Sequence, residues 1–353
     1  VNLSEIGWND RFDSLFSQVR TNTVTPARVV RVDRGSVCVQ GEVGATVATV
    51  AGSLDPAGQA GAPAVGDWVA LDRVEDSAVI RAILPRTGTL TRRRPGAADH
   101  GQAVAANIDI VFIVESVERG PNPRRIERAV ALAWDAGAKP VVVLTKIDLA
   151  DDVDAAVARA RDGAPFEEIL PLSAVEGLGV DELVGTIPPG STAVLLGPSG
   201  VGKSTLANRL LGEDRFEVSG VREGDAKGRH TTTHRELVVL PSGGCLIDTP
   251  GVRELGLWLD PGSVAPAFPE IDDAASGCRF RDCRHEGEPG CAVAAEVEAG
   301  RLDPARLESF HRLQREAENL EQRLDPSRRH EIRARERVFG KMVRRVLDIK
   351  RRR

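Results

Sequence analysis

The sequence predicts an α/β protein in which a small N-terminal β-barrel precedes a parallel-sheet nucleotide-binding unit, with a cysteine-bearing helical unit after it. Three observations predict this arrangement. Residues 24–86 alternate apolar and polar positions between Gly, Asp and Pro turn signals. From about residue 104 continuous apolar runs alternate with helical periods, and from 259 the chain turns Pro-rich and Cys-containing before two helical stretches, about 303–324 and 329–350, separated near Pro326. The expected division is 1–23 as an N-terminal extension, 24–86 as the barrel, 87–258 as the nucleotide unit and 259–353 as the C-terminal unit.

Taken in order, "ARVVRVDRGSVCVQ", "ATVATVAG", "GDWVALDRV" and "AVIRAILPR" read as short half-buried strands closing a barrel. Pattern alone leaves open an oligonucleotide-binding type or a barrel that merely packs on its neighbour. "IDIVFIVESV", "KPVVVLTKI", "EILPLSA", "AVLLG", "THRELVVL" and "GCLIDTP" read as strands. "PRRIERAVALAWDAG", "DVDAAVARARD", "GVDELVGTI" and "KSTLANRLLG" read as the helices between them. Strands apolar on both faces and alternating with helices imply a parallel sheet covered on both sides.

Composition sets the outer limits. The 353 residues exceed one average domain, and 41% hydrophobic with 28% charged residues is ordinary for a globular chain with real cores. The opening "VNLSEIGWND" lacks a basic end and an apolar run, and no stretch approaches the roughly 20 apolar residues of a spanning helix. A cytoplasmic protein without membrane contact is the expectation. Five cysteines are an odd number for a disulfide framework, so clustered ones point to metal. The net charge of −5 hides a basic end: residues 328–353 carry 12 Lys/Arg against 3 Asp/Glu, a net +9 that leaves −14 for the rest. That asymmetry suits a localised polyanion contact or a solvated helix.

The chemistry begins at Gly197-Pro198-Ser199-Gly200-Val201-Gly202-Lys203-Ser204, followed by Thr205, between a strand and a helix. This is the phosphate-loop pattern in its expected context. Glycines let backbone N–H groups face phosphate oxygens at a helix start, Lys203 neutralises charge on the β/γ-phosphates, and Ser204 is a Mg²⁺ ligand. Asp248-Thr249-Pro250-Gly251 ends the strand "GCLID". Asp248 can hold Mg²⁺ through water, and the Gly251 amide can bond the γ-phosphate, so phosphate loss would release the segment after it. A transporter ATPase would instead carry an acidic pair after that strand and a Ser-Gly-Gly signature. In "GRHTTTHR" Thr231 or Thr232 could coordinate Mg²⁺.

Thr145-Lys146-Ile147-Asp148 also ends a strand. A carboxylate at Asp148 can accept hydrogen bonds from guanine N1 and N2, and the Lys146 stem can lie over the ring; the plain alternative is that Asp148 caps the next helix. Ser173-Ala174, again at a strand end, offers a backbone N–H for guanine O6. Common small GTPases run phosphate loop, switch threonine, Asp-x-x-Gly, Lys-x-Asp, Ser-Ala, whereas here the last two come first. Circular permutation explains the order: the former ends join through "IPPGST" and new ends open after Asp-x-x-Gly. The C-terminal unit is then tethered to the second switch.

That unit carries Cys278-x4-Cys283-x-His285-x5-Cys291, a Cys₃His set suited to one structural Zn²⁺. Cys38 and Cys245 fall in strands and read as core residues rather than ligands. Arg92-Arg93-Arg94 and Arg351-Arg352-Arg353 are basic runs, and with 4% aromatics and no tyrosine, phosphate and shape contacts to RNA are favoured over base stacking.

Together these residues closely resemble the circularly permuted RsgA/YjeQ family of ribosome small-subunit-dependent GTPases. The likeness spans nearly the whole chain, through "GDWVAL", "QAVAANIDIVFIV", the permuted loops, "FPEI" at 268–271 and the cysteine spacing. It implies an oligonucleotide-binding-type barrel, a permuted GTPase unit and a zinc unit. It also implies engagement of the 30S ribosomal subunit and its 16S rRNA late in assembly, as a monomer, with slow GTP hydrolysis accelerated by that subunit. Thr145 departs from the family, many of whose members have Asn there to buttress neighbouring loops. Val252 comes after Asp-x-x-Gly where many small GTPases have a water-positioning Gln, which leaves His230 as the candidate to orient water. Two alternatives stand beside this reading. One is an RNA-binding scaffold whose bound nucleotide is mainly structural; the other, a small-molecule kinase, lacks a recognisable acceptor-binding insertion.

Overall fold

The computed structural model describes residues 2–33, 35–52, 62–74, 77–92, 102–217, 235–248 and 259–324. The first strands are β1 (Val24–Asp33), β2 (Ser36–Gly41), β3 (Gly44–Val50), β4 (Trp68–Val74) and β5 (Ser77–Ile83), after a short helix α1 (Asp10–Ser17). They close in the order β1-β2-β3-β5-β4 and back to β1, antiparallel except for the parallel pair β3–β5. This is the five-stranded barrel of the oligonucleotide-binding type. The run "ARVVRVDRGSVCVQ" supplies two of the strands, turning between Asp33 and Ser36.

The period-2 pattern builds two cores at once. Ala27, Val29, Val37, Val39, Val69, Leu71 and Ile80 fill the barrel. The intervening residues Arg28, Trp68 and Ala70 point outward, yet they too are buried. Trp68 packs edge-on against Trp8, 4.7 Å between ring centroids, and beside Phe12 at 5.7 Å. The N-terminal extension is therefore a lid on the outer face of the barrel.

Arg28 joins these parts. Its guanidinium donates to the Ile6 carbonyl, to Gly66 O at 3.2 Å, to Asn107 O at 3.4 Å and to Thr192 Oγ1 at 2.8 Å, and it lies 5.5 Å from the Trp68 ring centroid. Burial weighs against its charge, and nearby Cys245, Asp109 and Asp67 offset this. Arg28→Met leaves three buried acceptors, Ile6 O, Asn107 O and Thr192 Oγ1, without a donor, while Gly66 O keeps the Asn107 side-chain amide at 3.0 Å. At about 1–3 kcal/mol each, even partial rescue by water predicts a loss of about 3 kcal/mol or more. Urea denaturation checks this, and a change under about 1 kcal/mol would contradict the assignment.

A hairpin, β6 (Thr89–Arg92) with β7 (Gln102–Ala106), leads into the central unit. There β8 (Ile110–Ser116), α2 (Pro123–Asp135), β9 (Lys139–Thr145), α3 (Val153–Arg161), β10 (Glu168–Pro171) and α4 (Val180–Gly185) precede β11 (Thr192–Leu196), α5 (Lys203–Leu211), β12 (Glu236–Val239) and β13 (Cys245–Asp248). The sheet order is β10-β9-β8-β11-β13-β12, parallel apart from β12. Val111 and Ile113 face α2 and α3, while Ile110, Phe112 and Val114 face α4 and α5. Every residue of β8 is buried as a result, which is why its sequence is nearly continuous in apolar residues. Antiparallel pairing of Arg31 with Glu236 joins the barrel to the edge strand β12.

Helices α6 (Pro269–Ala275), α7 (Ala292–Glu298) and α8 (Pro304–Leu324) form the C-terminal unit. Phe268, Ile271, Val293, Phe310 and Leu313 extend the core beneath α2. Charge fixes the same contact. Arg306 donates to Glu127 at 3.3 Å and Glu270 at 2.7 Å, Arg312 reaches Glu127 at 2.9 Å, and Arg128 pairs with Glu316 at 2.7 Å. Arg306 also stacks 4.3 Å from the Phe268 ring centroid. No described helix is long and apolar enough to cross a membrane. The helical stretch expected at 329–350, with Arg351, Arg352 and Arg353, lies outside the described residues, as do Arg93 and Arg94.

Candidate functional site

The sheet is wound in two directions. From β8 the chain moves outward to β9 and β10, then returns to β11 on the other side of β8 and continues to β13. The loops after β8 and β11 thus diverge, and their carboxyl ends bound the crevice where open α/β sheets bind ligands. Parallel pairing puts the ends of β10, β9, β8, β11 and β13 on one edge of the sheet. Ser173-Ala174, Thr145–Asp148, Gly197–Ser204 and Asp248 all succeed or close those strands.

The phosphate loop starts under tight constraint. Gly197 has φ +153°, and a Cβ there would collide with Val114 O, so only glycine lets the loop leave β11 this close to β8. Gly202, at φ +95°, ends the loop and opens α5. Lys203 Nζ bridges the Gly197 and Pro198 carbonyls, each at 2.7 Å, which holds the ammonium across the loop. Pro198, Ser199, Gly200 and Val201 form the arch, and Ser204 and Thr205 come after Lys203 in the first turn of the helix, half-buried. The N-terminus of α5 turns its free N–H groups toward the space such a loop encloses.

Thr145 ties the end of β9 to this loop. It is 1% exposed, and its hydroxyl lies 2.5 Å from Val201 O and 3.1 Å from Glu115 O. The threonine thus makes the cross-loop contact that Asn is expected to make in relatives. Beside it, Ser116 is buried in register with Thr145, and its hydroxyl has no hydrogen-bond partner among the described residues.

Lys146 adopts φ +62°, which turns the chain sharply into the short helical turn Ile147–Leu149. Asp148 is exposed there. It is not a helix cap, because Asp152 caps α3 by accepting from Ala155 N at 2.9 Å. Lys146 Nζ donates to Glu118 Oε2 at 2.6 Å, which holds the Glu118 carboxyl below its ordinary range. Ser173 is fully buried and organises its turn, its N–H bonded to Leu178 O at 2.9 Å and its Oγ accepting from Glu176 N at 3.2 Å. Ala174 N–H has no acceptor among the described residues. Asp248 closes β13, but its side chain lies outside the described set, together with His230, Thr231, Thr232, Gly251 and Val252.

A second site lies in the C-terminal unit. The ligand atoms of Cys278, Cys283, His285 and Cys291 fall within 4.8 Å of one another. His285 Nδ1 stands 3.6 Å from Cys278 Sγ and 3.5 Å from Cys291 Sγ. With metal–ligand bonds of about 2.0–2.3 Å, tetrahedral edges of about 3.5–3.8 Å result, so the residues present fit zinc. Ala292 N donates to Cys278 Sγ and Ala294 N to Cys291 Sγ, both at 3.4 Å, contacts that favour thiolates. Burial and the neighbouring His311 lower the His285 pKa, favouring the neutral imidazole that ligates. Cys38, in β2, and Cys245, in β13, stand outside the cluster.

Comparison with known proteins decides among the nucleotide-binding families. Residues 83–258 match the family described as RsgA GTPase. Over 92% of its length the chain is 44% identical to the small ribosomal subunit biogenesis GTPase RsgA of Opitutus terrae, of which 92% is covered. The chain belongs to the RsgA GTPase family. It is, accordingly, a GTP hydrolase. The crystal structure of YjeQ from Thermotoga maritima matches it with a TM-score of 0.64 at 28% identity, over 83% of this chain and 98% of that one. The crystal structure of YloQ, a circularly permuted GTPase, shares the fold at a TM-score of 0.61 and 23% identity, over 84% and 96% of the two chains. Permutation accounts for the inverted loop order: the chain enters at β8 rather than at β11, while the spatial order of strands keeps every loop at the shared edge.

Several residues that shape this RsgA-family site carry no motif. Glu115 forms a two-armed pair with Arg125, 2.5 and 2.6 Å, fixing the end of β8 to the start of α2. The only sequence signal was an acid inside a continuous apolar strand. Arg28 had a similar signal, a cation on a strand whose neighbours alternate. The Glu127–Arg306 contact had none, its partners standing 179 residues apart.

Proposed function

We propose that this protein acts in late maturation of the small ribosomal subunit, binding the 30S particle in its GTP form and leaving after hydrolysis. The observation that carries this reading is 44% identity, over nine-tenths of both chains, to a relative named for small ribosomal subunit biogenesis. The architecture supports it. The chain leaves the nucleotide unit from β13, at the Asp-x-x-Gly segment, and the next described residue, Leu259, is buried in the core that the C-terminal unit shares with α2. The C-terminal unit is thus tethered to the element that loss of phosphate releases.

In this reading Asp148 and the Ala174 N–H select guanine, with Lys146 along the ring and Thr145 and Ser173 setting their loops. The backbone N–H groups of Gly197, Ser199, Gly200, Val201 and Gly202, with Lys203 and Thr205, hold the phosphates, and Pro198 shapes the loop between them. Ser204 and Thr231 or Thr232 ligate Mg²⁺, with Asp248 behind them through water, and Gly251 senses the γ-phosphate. Mg²⁺ would supply charge neutralisation as the γ-phosphoryl group is transferred to water. Lys203 adds a fixed cation, and His230 orients the water. Cys278, Cys283, His285 and Cys291 hold one structural Zn²⁺. Contact with 16S rRNA runs through phosphates, so it weakens with salt.

Co-sedimentation with purified 30S subunits tests the cycle. The protein is expected to pellet with 30S in a non-hydrolysable GTP analogue and to stay in the supernatant with GDP; binding that ignores the nucleotide would contradict the proposal. His230→Ala is expected to bind 30S normally while 30S-stimulated turnover drops at least tenfold. Unchanged turnover would remove His230 from the mechanism.

A further inference from the structure

One more turn lies between the base-reading turn and the phosphate loop. Val117–Arg119 comes directly after β8, and β8 is the strand between β9 and β11. Any residue just beyond its carboxyl end stands between the two loops. The two charged side chains of the turn divide accordingly. Glu118 holds Lys146 of the base-reading turn, 2.6 Å between charged atoms. Arg119 reaches the phosphate loop: a Cβ built on Gly200 would lie 3.4 Å from Arg119 Nη2. Gly200 has φ +83° and no side chain, so the guanidinium rests against bare loop backbone.

Arg119 is exposed and makes no hydrogen bond among the described residues. The strand end from which it springs is also unsatisfied, since Ser116 Oγ is buried without a partner there. A permanently charged fork of five donors, held against a phosphate-binding loop with no acceptor of its own, is suited to phosphate oxygens. Lys203 comes from the helix after the loop and Arg119 from the neighbouring strand, so the two cations would approach a polyphosphate from different elements. Their charges act together where negative charge is densest.

We propose that the turn Val117–Arg119 is a third wall of the nucleotide site, in which Arg119 donates to the phosphates of bound GTP and GDP and Glu118 positions Lys146 over the base. This rests on reading 145–148 and 197–204 as the nucleotide site. No described residue hydrogen-bonds the guanidinium, and the neighbouring Glu118 carboxylate is held by Lys146, so the contribution of Arg119 grows with the number of phosphates it faces.

The test measures affinities of the full chain for GMP, GDP and GTP by competition against a fluorescent GDP analogue. Wild type is compared with Arg119→Ala, Arg119→Lys and, as a surface control, Arg124→Ala on the exposed face of α2. Arg119→Ala is expected to weaken GDP and GTP about tenfold, as for the loss of one charge-assisted hydrogen bond, and GMP clearly less. Arg119→Lys should recover part of the loss, and Arg124→Ala should stay within about twofold of wild type. Equal losses for GMP and GTP would mean that Arg119 only shapes the loop, and wild-type affinities in Arg119→Ala would mean it does not touch nucleotide; either overturns the proposal. Wild-type protein that fails to bind any guanine nucleotide would instead sink the site reading beneath it.

Discussion

Asp148→Asn is expected to lower affinity for GTP and GDP at least a hundredfold and to bring xanthosine nucleotides into the site. In the proposed site the carboxylate would accept from two donors on the guanine edge, and each charge-assisted bond contributes about 1.5–3 kcal/mol. Losing one acceptor and the charge on the other, and setting an N–H₂ donor against the guanine 2-amino group, corresponds to roughly 10² or more in affinity. An amide keeps one acceptor and gains a donor, the pattern that suits the carbonyl of xanthine at position 2. Because Asp152 and not Asp148 caps α3, the substitution takes no cap from the fold. Thermal stability without nucleotide should therefore be unchanged. Titration of both nucleotide series against the variant checks the claim, and an undiminished preference for GTP would remove Asp148 from base recognition.

Loss of zinc is expected to have the largest structural effect. Structural zinc in small sites contributes an apparent 10–16 kcal/mol at neutral pH, on the order of a domain's whole stability. Here the ligands also position helices. Cys291 is the N-cap of α7, and His285 packs 6.2 Å from Phe310 of α8, which in turn meets Phe268 at 5.6 Å. Phe268 lies under Arg306, so the metal site and the ion pairs on α2 share one packed layer. Cys291→Ser should reduce bound zinc from one per chain to near none and lower the thermal midpoint. Residues 259–324 should then exchange amide hydrogens faster, with β8, β9 and β11 less affected. Full protection of 259–324 in a zinc-free protein would show that hydrophobic packing alone holds the unit.

Much of this was legible because the responsible physics is local. Buried parallel strands announce themselves as apolar runs, phosphate binding needs glycines at fixed spacing, and tetrahedral zinc needs four soft ligands close in sequence. The inverted loop order was readable for the same reason, since each loop carries its own chemistry wherever the chain begins. The contacts that assemble the units were not legible. Arg28 gathers acceptors from Ile6, Gly66, Asn107 and Thr192, and Glu127 receives Arg306 and Arg312 from far along the chain. No periodicity encodes such pairings. Helix α1 and the β6–β7 hairpin were missed because each is too short for its buried positions, Phe12 and Phe16 in one and Leu90, Val104, Ala105 and Ala106 in the other, to establish a period. Arg119 belongs to no motif, and only the sheet order places it beside Gly200. His230, Thr231, Thr232 and Gly251 lie outside the described residues, so their roles rest on motif and family.

Phosphate release from GTP and from ATP, each with and without purified 30S subunits, tests the central claim most directly. Strong stimulation by 30S, confined to GTP, is the predicted result, since it requires the guanine-selecting edge and the coupling to the particle at once. Turnover equal for the two nucleotides and indifferent to 30S would contradict both.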